Sequence, residues 1–247
     1  MANNPAIQVK DLVKKFGSFT ANDRLTFEVY QGEIFGFLGA NGAGKTTAIK
    51  ILCGLSAPTS GEVFVTGCNV ALQPEKVKKN IGYMSQRFSL YDDLTVAENI
   101  WFYAGIYGMN RQQIKQRTNQ LLSEMGISHI RDTLIRDISI GWKQKLAFLV
   151  AVFHDPPLVF LDEPTAGVDP LARRQFWELI YQYAARQKTV FVTTHYLDEA
   201  EYCDRVCILS EGKIAALGSP EELKKHWNAT SVEDVFLRIA RPNHNKN

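Results

Sequence analysis

The fold of this chain is decided by the stretch Gly39-Ala40-Asn41-Gly42-Ala43-Gly44-Lys45-Thr46. Its glycine, lysine and threonine spacing is that of a phosphate-binding P-loop. An apolar run of strand length, residues 34–38, precedes it, and residues 47–53 behind it favour a helix. This arrangement directs backbone N–H groups and the positive end of a helix dipole at a phosphate. A chance glycine turn would not need both flanking elements, so we predict a nucleotide site.

Within the loop, the glycines let the backbone approach a phosphate without a Cβ in the way. We expect Lys45 to reach the β- and γ-phosphates and the Thr46 hydroxyl to bind Mg²⁺. The candidate nucleotide-binding residues of this segment are Gly39, Asn41, Gly42, Ala43, Gly44, Lys45, Thr46 and Thr47.

The composition limits the classes of protein to which the chain can belong. The 247 residues are 45% hydrophobic and 22% charged, as in ordinary globular domains. The net charge of +2 is too small to indicate a nucleic-acid surface, so no nucleic-acid partner is expected. The longest apolar run, residues 146–153, is too short to cross a bilayer, and the N-terminus lacks a signal-peptide core. We therefore expect a cytoplasmic chain.

The cysteines give no metal or disulfide pattern. Cys53, Cys68, Cys203 and Cys207 form no CxxC pair, and no histidine stands where it would complete a zinc set. We expect four buried free thiols in a reducing compartment.

Apolar runs alternate with helical patterns along most of the chain, which predicts a mostly parallel sheet covered on both faces. The predicted strands are residues 7–16, 25–30, 34–38, 61–67, 81–84, 158–161 and 189–193, with a hairpin of 205–210 and 213–217. Thr95 and Glu98 form a capping box that starts a helix, and Asp169-Pro170 starts another. Residues 87–155 have a helical pattern and are too long for a loop.

The fold class that follows is α/β. We expect a P-loop NTPase (RecA-like) core with a mostly parallel sheet, an antiparallel β subdomain and an inserted α-helical subdomain. Residues 1–86 and 156–225 are assigned to the core with its N-terminal β subdomain, and 87–155 to the helical subdomain. Residues 226–247 are assigned to a C-terminal helix and tail, with the last seven residues disordered.

Two acids end a buried strand in the second half of the chain. Asp162 follows residues 158–161, where a carboxylate commonly binds the P-loop Mg²⁺ through water. Glu163 comes next and is placed to take a proton from an attacking water. The alternative is a pair of acids that only caps a strand before a turn.

With these motifs the chain resembles the nucleotide-binding subunits of ABC transporters. Residues 164–169 resemble that family's D-loop, and residues 193–195 resemble its switch-histidine segment. Gln86 matches its Q-loop glutamine, and Phe16 matches the aromatic that stacks on adenine. Taken singly, Gln86 can be a strand cap, His195 a satisfied polar residue and Phe16 a core residue.

The resemblance implies ATP as substrate, Mg²⁺ as cofactor and ATP hydrolysis as activity. The implied catalytic residues are Glu163, His195, Gln86 and Lys45. The implied metal ligands are Thr46, Gln86 and Asp162. Gln86 also stands between the core and the helical insert, so a γ-phosphate contact there can move the insert.

The family's Leu-Ser-Gly-Gly-Gln signature is altered. Residues 138–145 keep Ser139 and Gly141 but carry Ile140 for the first glycine and Trp142 for a polar residue. A β-branched residue resists positive φ and adds bulk near the phosphate. Either Ser139 and Gly141 suffice, or this chain gives a weakened signature to an asymmetric pair. By resemblance, Ser139, Gly141 and Asp169 contribute to nucleotide binding in a dimer.

The altered signature is most similar to the second ATPase half of fused ABC-2-type multidrug exporters. Whether the chain is free-standing or fused stays open. The expected partners are a second ABC ATPase subunit and an ABC-2-type permease, which would hold the chain at the cytoplasmic face of the inner or plasma membrane. Side chains that would line a groove for a permease helix are Phe88, Leu90, Tyr91, Trp101, Phe102 and Tyr107.

Beside the permease groove, one alternative is that the aromatic side chains are ordinary core. Two alternatives remain beside the exporter subunit. The chain can be a soluble clamp on nucleic acid or ribosomes, although it has no heptads, repeat or basic stripe. It can also be a nucleotide-binding regulator without turnover, against which Glu163 and His195 argue.

Overall fold

The computed structural model describes residues 5–86 and 89–240. Its strands are β1 (Pro5–Phe16), β2 (Phe19–Tyr30), β3 (Ile34–Gly39), β4 (Ser60–Val65), β5 (Cys68–Asn69), β6 (Ile81–Met84), β7 (Leu158–Asp162), β8 (Thr189–Thr194), β9 (Arg205–Ser210) and β10 (Lys213–Gly218). Its helices are α1 (Lys45–Leu52), α2 (Pro74–Asn80), α3 (Val96–Ile106), α4 (Arg111–Glu124), α5 (Ile140–Val152), α6 (Pro170–Ala184), α7 (Pro220–His226) and α8 (Val232–Ala240). Short 3-10 turns occur at Ser128–Ile130, Ile135–Asp137 and Leu197–Tyr202.

The larger sheet has the strand order β10-β9-β3-β8-β7-β6 within the described ranges. All its neighbouring strands are parallel except the β9–β10 hairpin. Every residue of β3, β7 and β8 is buried, because structure covers both faces of the sheet. Parallel pairing brings Gly39, Asp162 and Thr194 to the same carboxyl edge, where ligands bind in open α/β sheets. The predicted α/β class with a mostly parallel core is confirmed.

The smaller sheet is antiparallel, in the order β2-β1-β4-β5. It packs with α1 against the larger sheet in one apolar core, where the Phe27 and Phe35 rings stack at 5.8 Å. β2 begins at Phe19, six residues before its predicted start. The polar run of residues 22–24 hid this part of the strand, and Arg24, with φ 53°, marks an irregularity in the pairing.

The helices α3, α4 and α5 pack around a core of their own. The predicted Thr95–Glu98 capping box is present at α3. α4 ends just before Gly126, whose φ of 68° is the left-handed conformation that stops a helix. The sequence missed α2, which is seven residues long and buries only Val77, too little to give a periodic pattern.

The remaining expectations concern termini and cysteines. α8 occupies part of the predicted C-terminal segment, whereas residues 241–247, expected to be disordered, lie outside the described residues. Cys53, Cys203 and Cys207 are buried free thiols as predicted, but Cys68 is only half-buried because it sits on a two-residue edge strand. In the described part of the chain, no helix is long and apolar enough to cross a bilayer.

Candidate functional site

The P-loop joins β3 to α1, and its glycines adopt conformations that other residues avoid. Gly42 has φ 83° and Gly44 has φ 100°. A Cβ on Gly44 would lie 2.3 Å from the Ala21 carbonyl oxygen and 2.6 Å from Asn22 Nδ2. The first amides of a helix have no intrahelical acceptor, and Gly44 has no side chain with which to cap α1. The start of α1 therefore offers backbone amides to an anion, as phosphate sites at helix N-termini do.

Asn22 supports the P-loop, and the sequence analysis did not identify it. Its side chain is fully buried and donates from Nδ2 to the Gly44 carbonyl oxygen at 3.2 Å. Asn22 lies in the polar segment of β2, so its signal was hidden with that part of the strand. Its position fixes the last turn of the P-loop against the smaller sheet.

Lys45 is held at the mouth of the loop. Its side chain is 6% exposed, and Nζ donates to the Gly39 carbonyl oxygen at 2.7 Å and to that of Ala40 at 3.3 Å. Nζ also lies 3.7 Å from Glu163 Oε1. Burial lowers the pKa of Lys45, and the charges of Glu163 and Asp162 oppose that shift. The ammonium is thus aimed between the loop and the strand-ending acids.

Asp162 ends β7 and is 3% exposed. Burial raises the pKa of this carboxyl, and a hydrogen bond from Thr193 Oγ1 to Oδ1, at 2.7 Å, lowers it. Thr193 reaches Asp162 because the two residues are register partners in neighbouring parallel strands. The sequence did not single out Thr193, since its proximity to Asp162 depends on a strand order that local patterns do not encode.

The Glu163 carboxylate contacts the other predicted catalytic side chains. Gln86 Nε2 donates to its Oε2 at 2.9 Å, and His195 Nδ1 lies 3.0 Å from the same oxygen. Its backbone has φ 48°, and its N–H donates to Thr193 at the carbonyl oxygen (3.1 Å) and at Oγ1 (3.0 Å). The structure therefore brings together one carboxylate, one imidazole, one amide and one ammonium beside the P-loop.

The residues assigned to Mg²⁺ offer oxygen donors. Asp162 supplies a carboxylate, Thr46 an exposed hydroxyl on the first turn of α1, and Gln86 an amide oxygen. Hard oxygen ligands with places left for water and phosphate suit Mg²⁺. No group of three His, Cys, Asp or Glu side chains that could hold a metal occurs in residues 5–86 and 89–240.

Phe16 lies at the end of β1 and is 56% exposed, so the reading of it as a core residue is wrong. Lys14 Nζ lies 5.1 Å from its ring centroid. Phe19 is its register partner across the turn and is 61% exposed. The aromatic pair was missed because Phe19 lay outside the predicted β2.

The signature segment forms a second part of the site. Ser139 is the N-cap residue of α5, yet its side chain makes no capping hydrogen bond. Ile140 begins the helix and is half exposed, and neither it nor Gly141 has a positive φ. The expectation that this position requires positive φ is therefore wrong, and only the bulk of Ile140 distinguishes it from glycine.

A surface pocket lies between the N-termini of α5 and α6. Ser139, Gly141 and Asp169 line it together, and the described lining includes no P-loop residue. Asp169 caps α6 as predicted, its Oδ1 accepting from the amides of Leu171 and Ala172 at 3.0 Å each. The candidate binding residues thus fall into two separate groups on the chain.

The predicted aromatic groove is partly exposed. Tyr91, Trp101 and Phe102 are between 42% and 48% exposed, and the Tyr91 and Phe102 rings meet edge to face at 4.9 Å. Tyr107 instead stacks on His154 at 3.7 Å, and Leu90 packs against the helical core. Phe88 lies outside the described residues.

Comparison with known proteins shows which protein family and which relatives this chain resembles. A model of the ABC transporter family matches residues 22–166. YbhF, a probable multidrug ABC transporter ATP-binding protein of Escherichia coli, is 45% identical over 218 residues, which are 88% of this chain and 38% of the relative. Nod factor export ATP-binding protein I of Rhizobium sp. is 37% identical over 232 residues, which are 94% of this chain and 76% of that protein.

A solved structure described as the ATP-binding subunit of an ABC transporter has the same fold. It superimposes with a TM-score of 0.85 at 30% identity, over 95% of this chain and 99% of its own. This chain spans 38% of the length of the E. coli relative.

Proposed function

The chain belongs to the ABC transporter family, and we propose that it is the ATP-binding and ATP-hydrolysing part of an exporter. The observation that carries the proposal is the meeting of Gln86 and His195 on one oxygen of Glu163, with Lys45 Nζ 3.7 Å from the other. These side chains stand beside a loop whose glycines leave room for a phosphate. Binding alone would not need a carboxylate placed in this way.

Hydrolysis follows from the roles that these groups can take. The P-loop amides and Lys45 hold the phosphates, and Lys45 exchanges its carbonyl contacts for phosphate oxygens. A water attacks the γ-phosphorus, the bond to the β–γ bridging oxygen breaks, and Glu163 accepts the proton of the water. Gln86 and His195 hold the carboxylate in a fixed orientation, which lowers the entropic part of the barrier.

Thr46, Asp162 and Gln86 are the residues that would hold Mg²⁺. When bound, the cation neutralises charge on the phosphate oxygens. Thr193 keeps the Asp162 carboxylate oriented through the hydrogen bond to Oδ1.

Two copies of such a fold, or this chain and a related one, complete each other's sites. Support comes from the separation of the two groups described above: Ser139, Gly141 and Asp169 line a pocket that none of the described P-loop residues reaches. The Ser139 side chain makes no capping bond to its own helix, which leaves its hydroxyl for a phosphate on a second subunit. The bulk of Ile140 favours an asymmetric pair in which this signature is the weaker one.

The exporter is of the ABC-2 type, and a permease helix docks at Tyr91, Trp101 and Phe102. The names of the relatives, a multidrug transporter protein and a Nod factor exporter, support export. The three rings are large apolar groups that stay partly exposed, as side chains at docking surfaces do. A fused exporter with two ATPase halves is consistent with the 38% coverage of the E. coli relative.

The hydrolysis proposal is tested with Glu163→Gln, which keeps the hydrogen-bonding shape but cannot accept the proton. Turnover should fall by about a hundredfold or more, whereas ATP binding persists. Glu178→Gln, an exposed acid on α6, is the matched control and should turn over like the unmodified protein. Turnover retained by Glu163→Gln would refute Glu163 as the base.

The docking proposal is tested with Tyr91→Ala in membranes that contain the permease. The variant should hydrolyse ATP in solution but lose co-sedimentation with the permease. Tyr181→Ala, a comparably exposed tyrosine on α6, is the control. If Tyr91→Ala and Tyr181→Ala sediment equally well with the permease, the proposal that the permease docks at Tyr91 is refuted.

A further inference from the structure

Glu199 is a fully buried acid outside the cluster around Glu163. It lies in the 3-10 turn Leu197–Tyr202, just after the segment that carries His195, and its exposure is 0%. Neither the proposed mechanism nor the sequence motifs use it. A buried carboxylate is costly unless it is paired, so its contacts indicate what it does.

One oxygen of Glu199 joins two other segments. Thr165 Oγ1 donates to Oε1 at 2.6 Å, and Thr165 stands two residues after Glu163. Arg173 Nε, on the first turn of α6, lies 3.7 Å from the same oxygen. Both Oε2 of Glu199 and Nε of Arg173 are buried without a hydrogen-bond partner in the described residues.

Arg173 continues the contact toward His195. Its guanidinium carbon lies 3.8 Å from the Tyr196 ring centroid, and Nη1 is 3.5 Å from Asp198 Oδ2. The Tyr196 ring is in turn 4.2 Å from the His195 ring. A continuous line of contacts therefore runs from the loop after Glu163, through Glu199 and Arg173, to His195.

We propose that Glu199 and Arg173 are positioning residues, which set the loop of Glu163 and Thr165 against the segment of His195. The inference rests on the proposed function, because it concerns the geometry of the His195–Glu163 contact. A buried ion pair adds little stability compared with apolar residues of the same size, particularly with one oxygen unpaired. What it adds is a fixed distance between two chain segments that meet only in the folded protein.

The first experiment is a double-substitution cycle in ATP hydrolysis, with Glu199→Gln, Arg173→Gln and the double variant. Glu199→Gln keeps an acceptor for Thr165 but loses the charge. Each single variant should lower kcat by about tenfold or more while the KM for ATP stays nearly constant, since a displacement of about 1 Å can cost about a hundredfold. The double variant should be no slower than either single one. Glu201→Gln, in the same turn but paired with Lys224, is the control.

The second experiment reads the geometry without turnover, from the NMR resonance of the His195 ring protons. Glu199→Gln should move this resonance beyond error, and Glu201→Gln should not. If the resonance moves but the unmodified protein hydrolyses no ATP, the positioning stands and the hydrolysis proposal fails. If the unmodified protein hydrolyses ATP while the resonance and kcat of Glu199→Gln are unchanged, the positioning role is refuted. Equal losses in kcat and in unfolding temperature for Glu199→Gln and Glu201→Gln would also overturn it.

Discussion

Replacing Thr193 by valine tests whether the site depends on a residue to which the sequence motifs assign no role. Valine keeps the β-branched shape in β8, so the strand and its packing are preserved. It removes the hydrogen bond from Thr193 Oγ1 to Asp162 Oδ1, at 2.7 Å. The N–H of Glu163 loses Oγ1 as an acceptor but keeps the Thr193 carbonyl oxygen at 3.1 Å. The loss therefore falls almost entirely on Asp162.

The magnitude follows from the burial of these groups. Thr193 is 0% exposed and Asp162 is 3% exposed, so water cannot replace the lost donor. A hydrogen bond to a charged group contributes about 1.5 to 3 kcal/mol. Burial of the new methyl group offsets up to about 0.8 kcal/mol of that loss. We expect the free energy of unfolding to fall by about 1 to 2 kcal/mol, which lowers the melting temperature by about 2 to 8 °C in a domain of this size.

The assay combines urea unfolding with ATP hydrolysis, and Thr189→Val is the matched control. Thr189 lies at the other end of β8, is 1% exposed and also loses one bond, from the Gly32 amide at 3.0 Å. Both variants should lose stability, but Thr193→Val alone should lose about tenfold or more in kcat, because the carboxylate of Asp162 is no longer oriented. Equal kcat values for the two variants would refute the orienting role of Thr193.

Three further predictions follow from single contacts. Gly44→Ala should destabilise the protein by about 1 to 3 kcal/mol, because the new Cβ would lie 2.3 Å from the Ala21 oxygen at a φ of 100°. The variant should also lose the rise in melting temperature that ATP causes. A melting temperature that ATP still raises would contradict this prediction. Burial lowers the pKa of His154 in the folded protein. The contribution of the neutral His154 ring to the free energy of unfolding should therefore be fully present above about pH 6.5. It should decline as the pH falls from there toward the folded-state pKa, by at most about 1.4 kcal/mol per pH unit. Urea titrations at a series of pH values should lose that slope in His154→Gln, and a slope that survives in this variant would exclude His154 as its source. Ile140→Gly, mixed with the partner subunit, should raise ATP turnover if bulk weakens the signature, and unchanged turnover would end the idea of an asymmetric pair.

The part of the site that the sequence could predict consists of contiguous motifs. The P-loop and the two acids after β7 are each short segments, and the contacts that define each motif form between residues close together in the chain. The Asp169 cap of α6 was predicted from the same kind of local signal. Only the expectation of positive φ at Ile140 was wrong, because the residue lies in the first turn of α5, where φ is negative.

Exposure was a second quantity beyond the reach of the sequence. Phe16 and Tyr107 are both aromatic residues near predicted ligand surfaces, yet one is half exposed and the other stacks on His154. Packing against distant segments decides this, and no local pattern records which segments those are.

By itself, therefore, the sequence determined an α/β chain, and it predicted a phosphate loop, a carboxylate for Mg²⁺ and a candidate base within it. Only the tertiary structure decided that β8 pairs with β7, and this pairing places Thr193 on Asp162 and His195 beside Glu163. It also decided that Glu199 meets Thr165 and Arg173 in the interior. The physical reason is that strand order and buried pairings arise from contacts between residues far apart in the chain, whereas periodicity and motif spacing report only on neighbours.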